Sequence, residues 1–462
     1  NLHYEKFADG SVKCIEDEIP FELPEGWAWS RLQSIAIIQS SKRVFEKDYV
    51  DNGIPFYRSK EIGDLSRNEE IRSQLFITEA HYLELKEKYG APQMGDILIT
   101  SVGSIGNTWI CDGRQFYYKD GNITQIVANN FFISEYIQLF LKTDYFFEQV
   151  GKTVSGSAYN ALTIEKLKNI LLALPTYNEQ QQIVNVLKPY NKLVETIETC
   201  KTDLLELLSN TKLKILDLAI RGKLVPQDPN DEPASVLLER IRSEKEELIK
   251  RGKIKRDKKE SIIFKGDDNS YYEKVDKTTE NIDDQIPFDL PQGWMWCRGY
   301  SCFAGMESTK PQGEFFDYID IDAIDNINHH IKEAKHLPVA NAPSRASRAV
   351  RNGSVLFSLV RPYLENIAFV DERHCNCIAS TGFYVCNSNG ILLPEFMYFL
   401  MISGYVVNGL NQFMKGDNSP SISKDNIENW LYPIPPINEQ EVICNKLNAV
   451  FSAIRNIEKS LN

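Results

Sequence analysis

Two stretches of this chain place apolar residues at alternating intervals of four and three, which is the spacing of a heptad repeat. The first follows Asn178 and has Lys201 and Thr211 at two repeat positions. The second follows Asn438, and its members stand 260 residues after positions of the first. The repeat positions are Ile183, Leu187, Tyr190, Val194, Ile197, Leu204, Leu208, Ile215 and Leu218, then Ile443, Leu447, Val450, Ile454, Ile457 and Leu461. Both stretches predict amphipathic helices, and the two helices are expected to pair in antiparallel orientation because the copies are related by a pseudo-dyad.

The two helices have the same predicted start. Asn178 or Asn438 is expected to be the N-cap, with Gln181 or Glu441 three residues later to complete a capping box. Prolines ahead of these positions keep a helix from beginning earlier.

Pro189 lies within the first helical stretch, where the second has Ala449. An interior proline costs about 3 kcal/mol and usually bends a helix. We therefore expect a kink near Leu187 or a restart of the helix there. The first helix is otherwise expected to run to about Ile220.

Ahead of each helix, short apolar runs alternate with turn residues, which predicts two α+β domains of similar plan at residues 1–177 and about 266–437. Each contains a turn leading into a buried strand, then a loop, then helical sequence. The matching pairs are 95–102 with 353–360 for the strand, 103–107 with 361–366 for the loop, and 134–150 with 393–410 for the helix.

Two short motifs occur twice and in the same order. Pro-Phe-acid-Leu-Pro followed by Gly and Trp stands at residues 20–27 and again at 287–294, an offset of 267. Pro-x-x-Asn-Glu-Gln stands at 175–180 and again at 435–440, an offset of 260. The chain is therefore one unit built twice, and a partner with two similar faces, such as a DNA duplex, suits it.

The first copy begins in the middle of the repeated sequence. Residues 1–6 align with residues 269–274, an offset of 268, and the second copy has helical and basic sequence ahead of this point. We expect the native chain to extend upstream with a segment similar to residues 209–268.

The segment between the copies predicts a proline-rich acidic turn at 224–236, a charged helix at about 234–250 and a basic linker. Residues 250–259 carry seven cations and one acid. The net charge of −12 argues mildly against nucleic acid, although a local basic patch can still hold phosphates. The alternative for this patch is a solvated helix end.

Composition fits a soluble globular protein, with 42% hydrophobic and 25% charged residues over 462 positions. The sequence holds no apolar run long enough for a membrane span, and nine scattered cysteines favour reduced thiols in a cytoplasm. Cys375 and Cys377 beside His374 lack a second ligand pair at zinc spacing, so no metal is predicted.

Motifs of catalysis are missing from the sequence. It has no phosphate-binding loop of the form Gly-x-x-x-x-Gly-Lys-Ser/Thr. It also has no Gly-x-Gly-x-x-Gly after a strand and no His-Glu-x-x-His. The tetrapeptide of amino-methyltransferases, Asn or Asp followed by two prolines and an aromatic residue, is also absent. With the duplicated architecture, this favours a binding protein over an enzyme.

Residues 218–238 resemble the conserved central region of Type I restriction-modification specificity (S) subunits. The paired Pro-x-x-Asn-Glu-Gln helix starts fit the same family, as do residues 342–346 together with 360–363. The resemblance covers essentially the whole chain, and the central block is its most specific part.

The resemblance implies an α+β fold in which two similar globular target-recognition domains are separated by two long antiparallel coiled-coil helices, with a pseudo-twofold internal repeat. Its implied parts are a first recognition domain at 1–177, a central helical region and linker at 178–265, a second recognition domain at 266–437 and a C-terminal helix at 438–462. Each domain would read one half of a bipartite DNA target, and the helices would set the spacer.

The resemblance also implies partners. Two methyltransferase (M) subunits would bind S-adenosylmethionine and methylate adenine, docking on the outer helix faces near 204–220 and 450–461. Restriction (R) subunits using ATP and Mg²⁺ would join them on double-stranded DNA. The chain itself would be non-catalytic, would hold no cofactor or metal, and would be cytoplasmic without contact to a membrane.

Side chains that read base edges are expected on loops, where Arg suits guanine and Asn or Gln suits adenine, each pairing giving about 1–3 kcal/mol of discrimination. The candidates in the first copy are Lys42, Arg43, Arg58, Lys60, Ser157, Tyr159 and Asn160. The candidates in the second copy are Lys310, Arg345, Arg348, Arg361, Lys415 and Asn418. The loops at 155–160 and 415–419 are twins at an offset of 260, which makes them the favoured pair.

Other interpretations remain open at this point. Any candidate can be a solvated surface residue, and Arg361 can instead pair with an acid to fix its loop. The chain as a whole can be a self-sufficient DNA methyltransferase or nuclease with an unrecognised site, or a helical scaffold that binds proteins.

Overall fold

The computed structural model describes residues 2–71, 74–152, 161–253, 259–275 and 277–461. The chain divides into two compact units, Asn1–Glu198 and Thr199–Asn462. Both units mix helices with small sheets, and the repeat seen in the sequence returns in the way their strands pair.

The elements that begin in the first unit are the following. Its strands are β1 (Tyr4–Lys6), β2 (Val12–Cys14), β3 (Ala28–Arg31), β4 (Ile38–Gln39), β5 (Tyr49–Val50), β6 (Ile54–Tyr57), β7 (Leu75–Ile77), β8 (Ile97–Thr100), β9 (Thr108–Ile110), β10 (Tyr117–Tyr118), β11 (Ile123–Ile126) and β12 (Leu171–Leu174). Its helices are α1 (Leu32–Ile35), α2 (Ser59–Ser66), α3 (Glu79–Tyr89), α4 (Ser134–Phe140), α5 (Asp144–Lys152), α6 (Ile164–Asn169) and α7 (Tyr177–Ile220), which ends in the second unit.

The second unit follows the same plan. Its strands are β13 (Ser261–Lys265), β14 (Tyr271–Val275), β15 (Thr278–Asn281), β16 (Met295–Arg298), β17 (Phe303–Ala304), β18 (Phe315–Ile319), β19 (Ile324–Asp325), β20 (His330–Ile331), β21 (Lys335–Pro338), β22 (Ala346–Ala349), β23 (Val355–Ser358), β24 (Ile367–Phe369), β25 (Ile378–Ser380), β26 (Phe383–Ser388) and β27 (Leu431–Ile434). Its helices are α8 (Ala234–Lys250), α9 (Gly299–Cys302), α10 (Pro394–Met401), α11 (Gly404–Asn411), α12 (Lys424–Asn429) and α13 (Ile437–Leu461).

A four-stranded antiparallel sheet forms the centre of each unit. The strand order is β4-β11-β8-β9 in the first and β17-β26-β23-β24 in the second, so the two sheets have the same connectivity. The predicted buried strands are confirmed as β8 and β23, which are fully buried along most of their length. Such apolar strands are stable only between two covering layers.

A parallel strand pair lies beside each central sheet, and here the units differ. The pair is β6 with β10 in the first unit and β18 with β25 in the second. In the first unit the parallel pair lies at one edge of a sheet with the strand order β10-β6-β7-β5. In the second unit it lies in the middle of a sheet with the order β21-β18-β25-β22. The units thus share a core and diverge around it.

A two-stranded ribbon brings the two repeated motifs together in each unit. β3 follows the first motif and pairs with β12, which precedes the second, and β16 pairs with β27 in the same way. Across this ribbon the Nε1 of Trp27 donates to Glu179 (3.4 Å), and the Nε1 of Trp294 donates to Glu439 (2.8 Å). Burial raises the pKa of the Glu439 carboxyl. The motifs recur together because they contact each other.

The final glutamine of the second motif ties each helix start to the core. Gln440 is fully buried, accepts from the N–H of Leu393 (2.7 Å) and donates to the carbonyls of Ile391 (2.9 Å) and Pro435 (3.1 Å). Gln180 makes the equivalent bond from the N–H of Ile133 (2.9 Å). Each glutamine satisfies backbone groups that would otherwise be buried without partners.

The positions predicted for the two N-caps are wrong. α7 begins at Tyr177, and the reciprocal bonds of a capping box join Thr176 and Glu179, with the Thr176 N–H to Glu179 Oε2 distance at 3.2 Å. α13 begins at Ile437 directly after Pro436. Asn178 and Asn438 therefore lie inside the helices, because a threonine and a proline two residues earlier already supply suitable starts.

Of the two outcomes expected near Leu187, a restart of the helix does not occur, and a kink stays a prediction. Residues 177–220 form one helix with Pro189 inside it. A proline removes a single backbone donor, and the hydrogen bonds of neighbouring turns keep the helix continuous. The predicted end near Ile220 and the charged helix at 234–250 are confirmed.

The helical segments predicted at 134–150 and 393–410 are each two helices. α5 starts after Thr143, whose Oγ1 accepts from the N–H of Phe146 (3.3 Å). α11 starts after Ser403, whose Oγ accepts from the N–H of Val406 (3.4 Å). In both places a hydroxyl side chain caps the start of a new helix. The continuous apolar periodicity of each segment hid this helix boundary from the sequence analysis.

Within the second unit, the end of α7 packs against α13. Leu216 and Ala219 share a core with Ile443 and Leu447, and Lys212 pairs with Glu458 at 2.8 Å. Lys212 precedes the core residues of α7, whereas Glu458 follows those of α13, so the helices run in opposite directions over this stretch. The heptad positions of the first unit include the exposed Tyr190, Val194 and Ile197, and their pairing stays a prediction.

Replacing Gln440 by Ala is expected to lower the free energy of unfolding by about 2–4 kcal/mol, because it leaves buried backbone groups without partners. Urea denaturation followed by tryptophan fluorescence measures the loss. Gln181→Ala is the control, since Gln181 is exposed on α7 and should change stability by less than about 0.5 kcal/mol. Equal stability of the two variants would contradict the role given to Gln440.

Candidate nucleic-acid interface

Lys42 and Arg43 stand on an exposed segment that crosses the end of β10 in the first unit. The backbone N–H of Lys42 donates to Tyr117 Oη (3.0 Å), and its Nζ lies 5.2 Å from the ring centroid of Tyr89. Arg43 Nε donates to Asp120 (2.9 Å) and remains largely exposed. The two cations are thus held at one edge of the unit with their charges accessible.

Lys60 lies near this segment, at the start of α2. The N–H of Lys119 donates to the carbonyl of Tyr57 (2.9 Å), and Ser59 Oγ donates to the carbonyl of Asn122 (3.3 Å). These bonds place the first turn of α2 beside residues 119–122, which also carry the partner of Arg43. Lys60 is exposed on that turn.

Arg58 is held more tightly than the other candidates. Its Nη2 donates to Glu61 (2.7 Å), whose side chain is completely buried, and this bond raises the pKa of Arg58. The pair caps the first turn of α2, so Arg58 stabilises the start of this helix. Sequence reasoning missed Glu61, although an Arg three residues ahead of a Glu at a helix start is a recognisable signal.

In the second unit, Arg361, Lys415 and Asn418 come together. The Arg361 N–H donates to the carbonyl of Pro420 (2.7 Å), and its Nη2 donates to the carbonyl of Asn418 (3.0 Å). Lys415 and Ser421 exchange two backbone bonds of 3.0 Å that close the loop. Arg361 therefore fixes its loop through a backbone carbonyl, where the sequence interpretation had considered an acid.

Arg345 borders the same region. Its carbonyl accepts from the N–H of Thr381 (2.8 Å), and the next residue, Gly382, accepts from the N–H of Leu359 (2.8 Å). Its side chain is exposed.

Lys310 and Arg348 lie on the strand side of this region. The N–H of Thr309 donates to the carbonyl of Ser347 (3.0 Å), which brings Lys310 close to Arg348. Lys310 is exposed, whereas the Nε of Arg348 is buried and makes no hydrogen bond with the described residues. Of the two, Lys310 has the more accessible charge.

The two regions occupy the same place in the repeated fold. In the first unit Ser101 donates to Asn122 (2.7 Å) and accepts from Leu162 (2.9 Å) through backbone groups. In the second unit Leu359 donates to Gly382 (2.8 Å) and accepts from Ile422 (2.9 Å). Both Ser101 and Leu359 directly follow the central buried strand. Ser157, Tyr159 and Asn160, in the other twin loop, lie outside the described residues.

Across the residues that the structure describes, no helix is long and apolar enough to cross a membrane. In the same part of the chain, His, Cys, Asp and Glu side chains form no group of three or more that could hold a metal ion.

Residues 24–207 and 347–462 match the Type I restriction modification DNA specificity domain. These segments cover more than half of the chain, so the protein belongs to this family. It therefore carries the DNA specificity function of a Type I restriction-modification system.

The relatives of this chain include two specificity subunits from Escherichia coli. It is 26% identical over 500 residues to the Type I restriction enzyme EcoAI specificity subunit, spanning 96% of this chain and 80% of that one. It is 27% identical over 408 residues to the EcoEI specificity subunit, spanning 76% and 64%. A solved chain from work on complex assembly and conformational transition of the type I R-M system is 18% identical, with a TM-score of 0.58 over 96% of this chain and 94% of that one, which shows a common fold.

Arg58→Ala is expected to destabilise the first unit by about 2 kcal/mol, because it leaves the buried Glu61 carboxylate without its positively charged partner. Arg43→Ala is the matched control and should cost less than about 1 kcal/mol, since the Arg43 side chain is 65% exposed and Asp120, unlike Glu61, keeps some contact with solvent. Thermal and urea denaturation compare them. Adding Glu61→Gln to Arg58→Ala should restore part of the loss, and a larger loss on adding it would contradict the assignment.

Proposed function

We propose that each unit reads one half of a bipartite double-stranded DNA target. The observation that carries this proposal is the equivalent position of the two cationic regions, both beside the residue that follows the central buried strand. Within a DNA specificity family, two similar frames carrying different side chains suit two different half-sites. The strongest candidates for base contacts are the exposed Arg345, Lys415 and Asn418, because their side chains can reach a groove.

The remaining candidates divide by their surroundings. Lys42, Arg43, Lys60 and Lys310 are exposed and suit phosphate or base contacts. Arg58 and Arg348 are partly buried, so their contribution to DNA binding is through the shape of the loops around them.

The helices α7 and α13 would form the antiparallel coiled coil that sets the spacer between half-sites. The contacts of Lys212 with Glu458 and of Leu216 with the α13 core support this pairing in the second unit. The proposed organisation has recognition domains at 1–177 and 266–437, joined by the helical regions at 178–265 and 438–462, in a pseudo-twofold arrangement.

The proposed partners are two M subunits, docked on the outer faces near 204–220 and 450–461, and R subunits. Chemistry would reside on them, with S-adenosylmethionine on the M subunits and ATP and Mg²⁺ on the R subunits. The chain would act without catalysis of its own in the cytoplasm.

Co-expression of the chain with its M partner in a host without restriction-modification is expected to methylate adenines within one bipartite sequence, detected by methylation mapping of the genome. The purified chain alone, incubated with labelled S-adenosylmethionine and DNA, should transfer no methyl group. Methyl transfer by the chain alone, or identical methylation without the chain, would overturn the proposal.

Arg345→Ala should weaken binding to target DNA by about 1–3 kcal/mol and relax specificity in one half-site only. Arg373→Ala is the control, because Arg373 is exposed and follows β24 at the opposite end of the central sheet. Competition binding with half-site variants, using the chain assembled with its M partner, measures both. An equal loss on unrelated duplexes would identify Arg345 as a phosphate contact instead.

A further inference from the structure

The loop at residues 361–365 has an unusual backbone. Arg361 and Glu365 both adopt left-handed conformations, with φ of +47° and +55°, on either side of a short 3₁₀ turn at Pro362–Leu364. Non-glycine residues rarely adopt such φ values, and these strained conformations persist only where the surrounding structure enforces them.

The equivalent loop of the first unit uses glycine for the same purpose. Gly103 and Gly106 have φ of +82° and +93°, and the Asn107 that follows accepts from Thr100 (2.9 Å). In the second unit Asn366 follows Glu365 and accepts from Ser358 (3.1 Å). The second unit therefore keeps the left-handed geometry at positions where glycine would relieve the strain.

Several bonds from other segments hold this loop. Arg361 is tied to Pro420 (2.7 Å) and Asn418 (3.0 Å), and Asn326 Nδ2 donates to the carbonyl of Leu364 (2.8 Å). The turn also lies against α11. The loop is consequently anchored by two other segments of the unit, at Asn326 and at 418–420.

The side chains at the tip of this anchored loop are partly exposed to solvent. Tyr363 is 46% exposed and Leu364 is 39% exposed. Beside them are two exposed cations, Arg361 and Lys415, and two acids, the exposed Asp417 and the partly exposed Glu365. A strained loop that presents two apolar side chains beside the loop of Lys415 and Asn418 has the form of a pre-organised contact.

We propose that Tyr363 and Leu364 are specificity-determining contacts that read thymine methyl groups in the half-site bound by the second unit. The C5-methyl of thymine is the apolar group displayed in the major groove, and apolar side chains recognise it there. Arg361 and Glu365 act as positioning residues, because their backbone conformation presents the tip. This inference rests on the proposed function.

The test uses the chain assembled with its M partner and duplexes carrying the mapped target, in which each thymine of the half-site is replaced in turn by uracil. The wild type should lose about fourfold in affinity at one or more of these positions, the value of one buried methyl group. The Tyr363→Ala/Leu364→Ala variant should bind the normal target more weakly and show no further loss with uracil. Its melting transition should remain cooperative, because the backbone bonds that hold the loop do not involve these two side chains.

Tyr4→Ala is the control, since Tyr4 is 58% exposed on β1 of the first unit. It should retain the uracil effect. A double variant that binds the target as tightly as the wild type, or that still loses affinity with uracil, would overturn the methyl contact. A wild-type complex with no preferred sequence would instead overturn the proposed function, so the two failures are distinguishable.

The positioning role is tested by Glu365→Gly against Glu365→Ala. Both remove the side chain, but only glycine releases the left-handed constraint. Glu365→Gly should therefore have the higher melting temperature and the weaker affinity for target DNA. Equal affinities of the two variants would overturn the role of the strained backbone.

Discussion

The architecture depends on a buried glutamine at the start of each long helix. Gln180 and Gln440 connect the helix start to the end of the ribbon and to the entrance of a neighbouring helix through backbone hydrogen bonds. Buried backbone groups that lose such partners are costly, so the direction in which α7 and α13 leave their domains is fixed. The tryptophan–glutamate bond beside each glutamine reinforces the same junction. The proposed spacer role of α7 and α13 requires a fixed origin of this kind for each helix.

Around this junction, the two units share the same backbone arrangement but differ in the loops attached to it. The central sheets have the same strand order, and the residue after each central strand makes the same pair of backbone bonds. The loops attached there differ in length and chemistry, with Gly103 and Gly106 in one and Arg361 and Glu365 in the other. Backbone bonds do not depend on side-chain identity, which is why loops with different side chains can be attached to the same frame.

Charge illustrates why local arrangement outweighs composition. The chain carries a net charge of −12, yet exposed cations gather on the loops of both units. Arg43 and Arg58 are held by acids, whereas Arg361 is held by a backbone carbonyl that leaves its positive charge uncompensated by this contact. Phosphates respond to the nearby potential within about a Debye length, so distant acids have little influence on them.

The sequence by itself determined the duplication, the buried strands, the charged helix at 234–250 and the family, because these depend on periodicity and on motifs that are contiguous along the chain. The end of α7 near Ile220 also followed from its pattern. Only the tertiary structure decided that Thr176 rather than Asn178 starts α7, that the Glu61 carboxylate beside Arg58 is completely buried, and that Arg361 meets Asn418. Those outcomes depend on which groups are brought within hydrogen-bond distance by the fold, and Arg361 and Asn418 are separated by 57 positions that no local pattern connects.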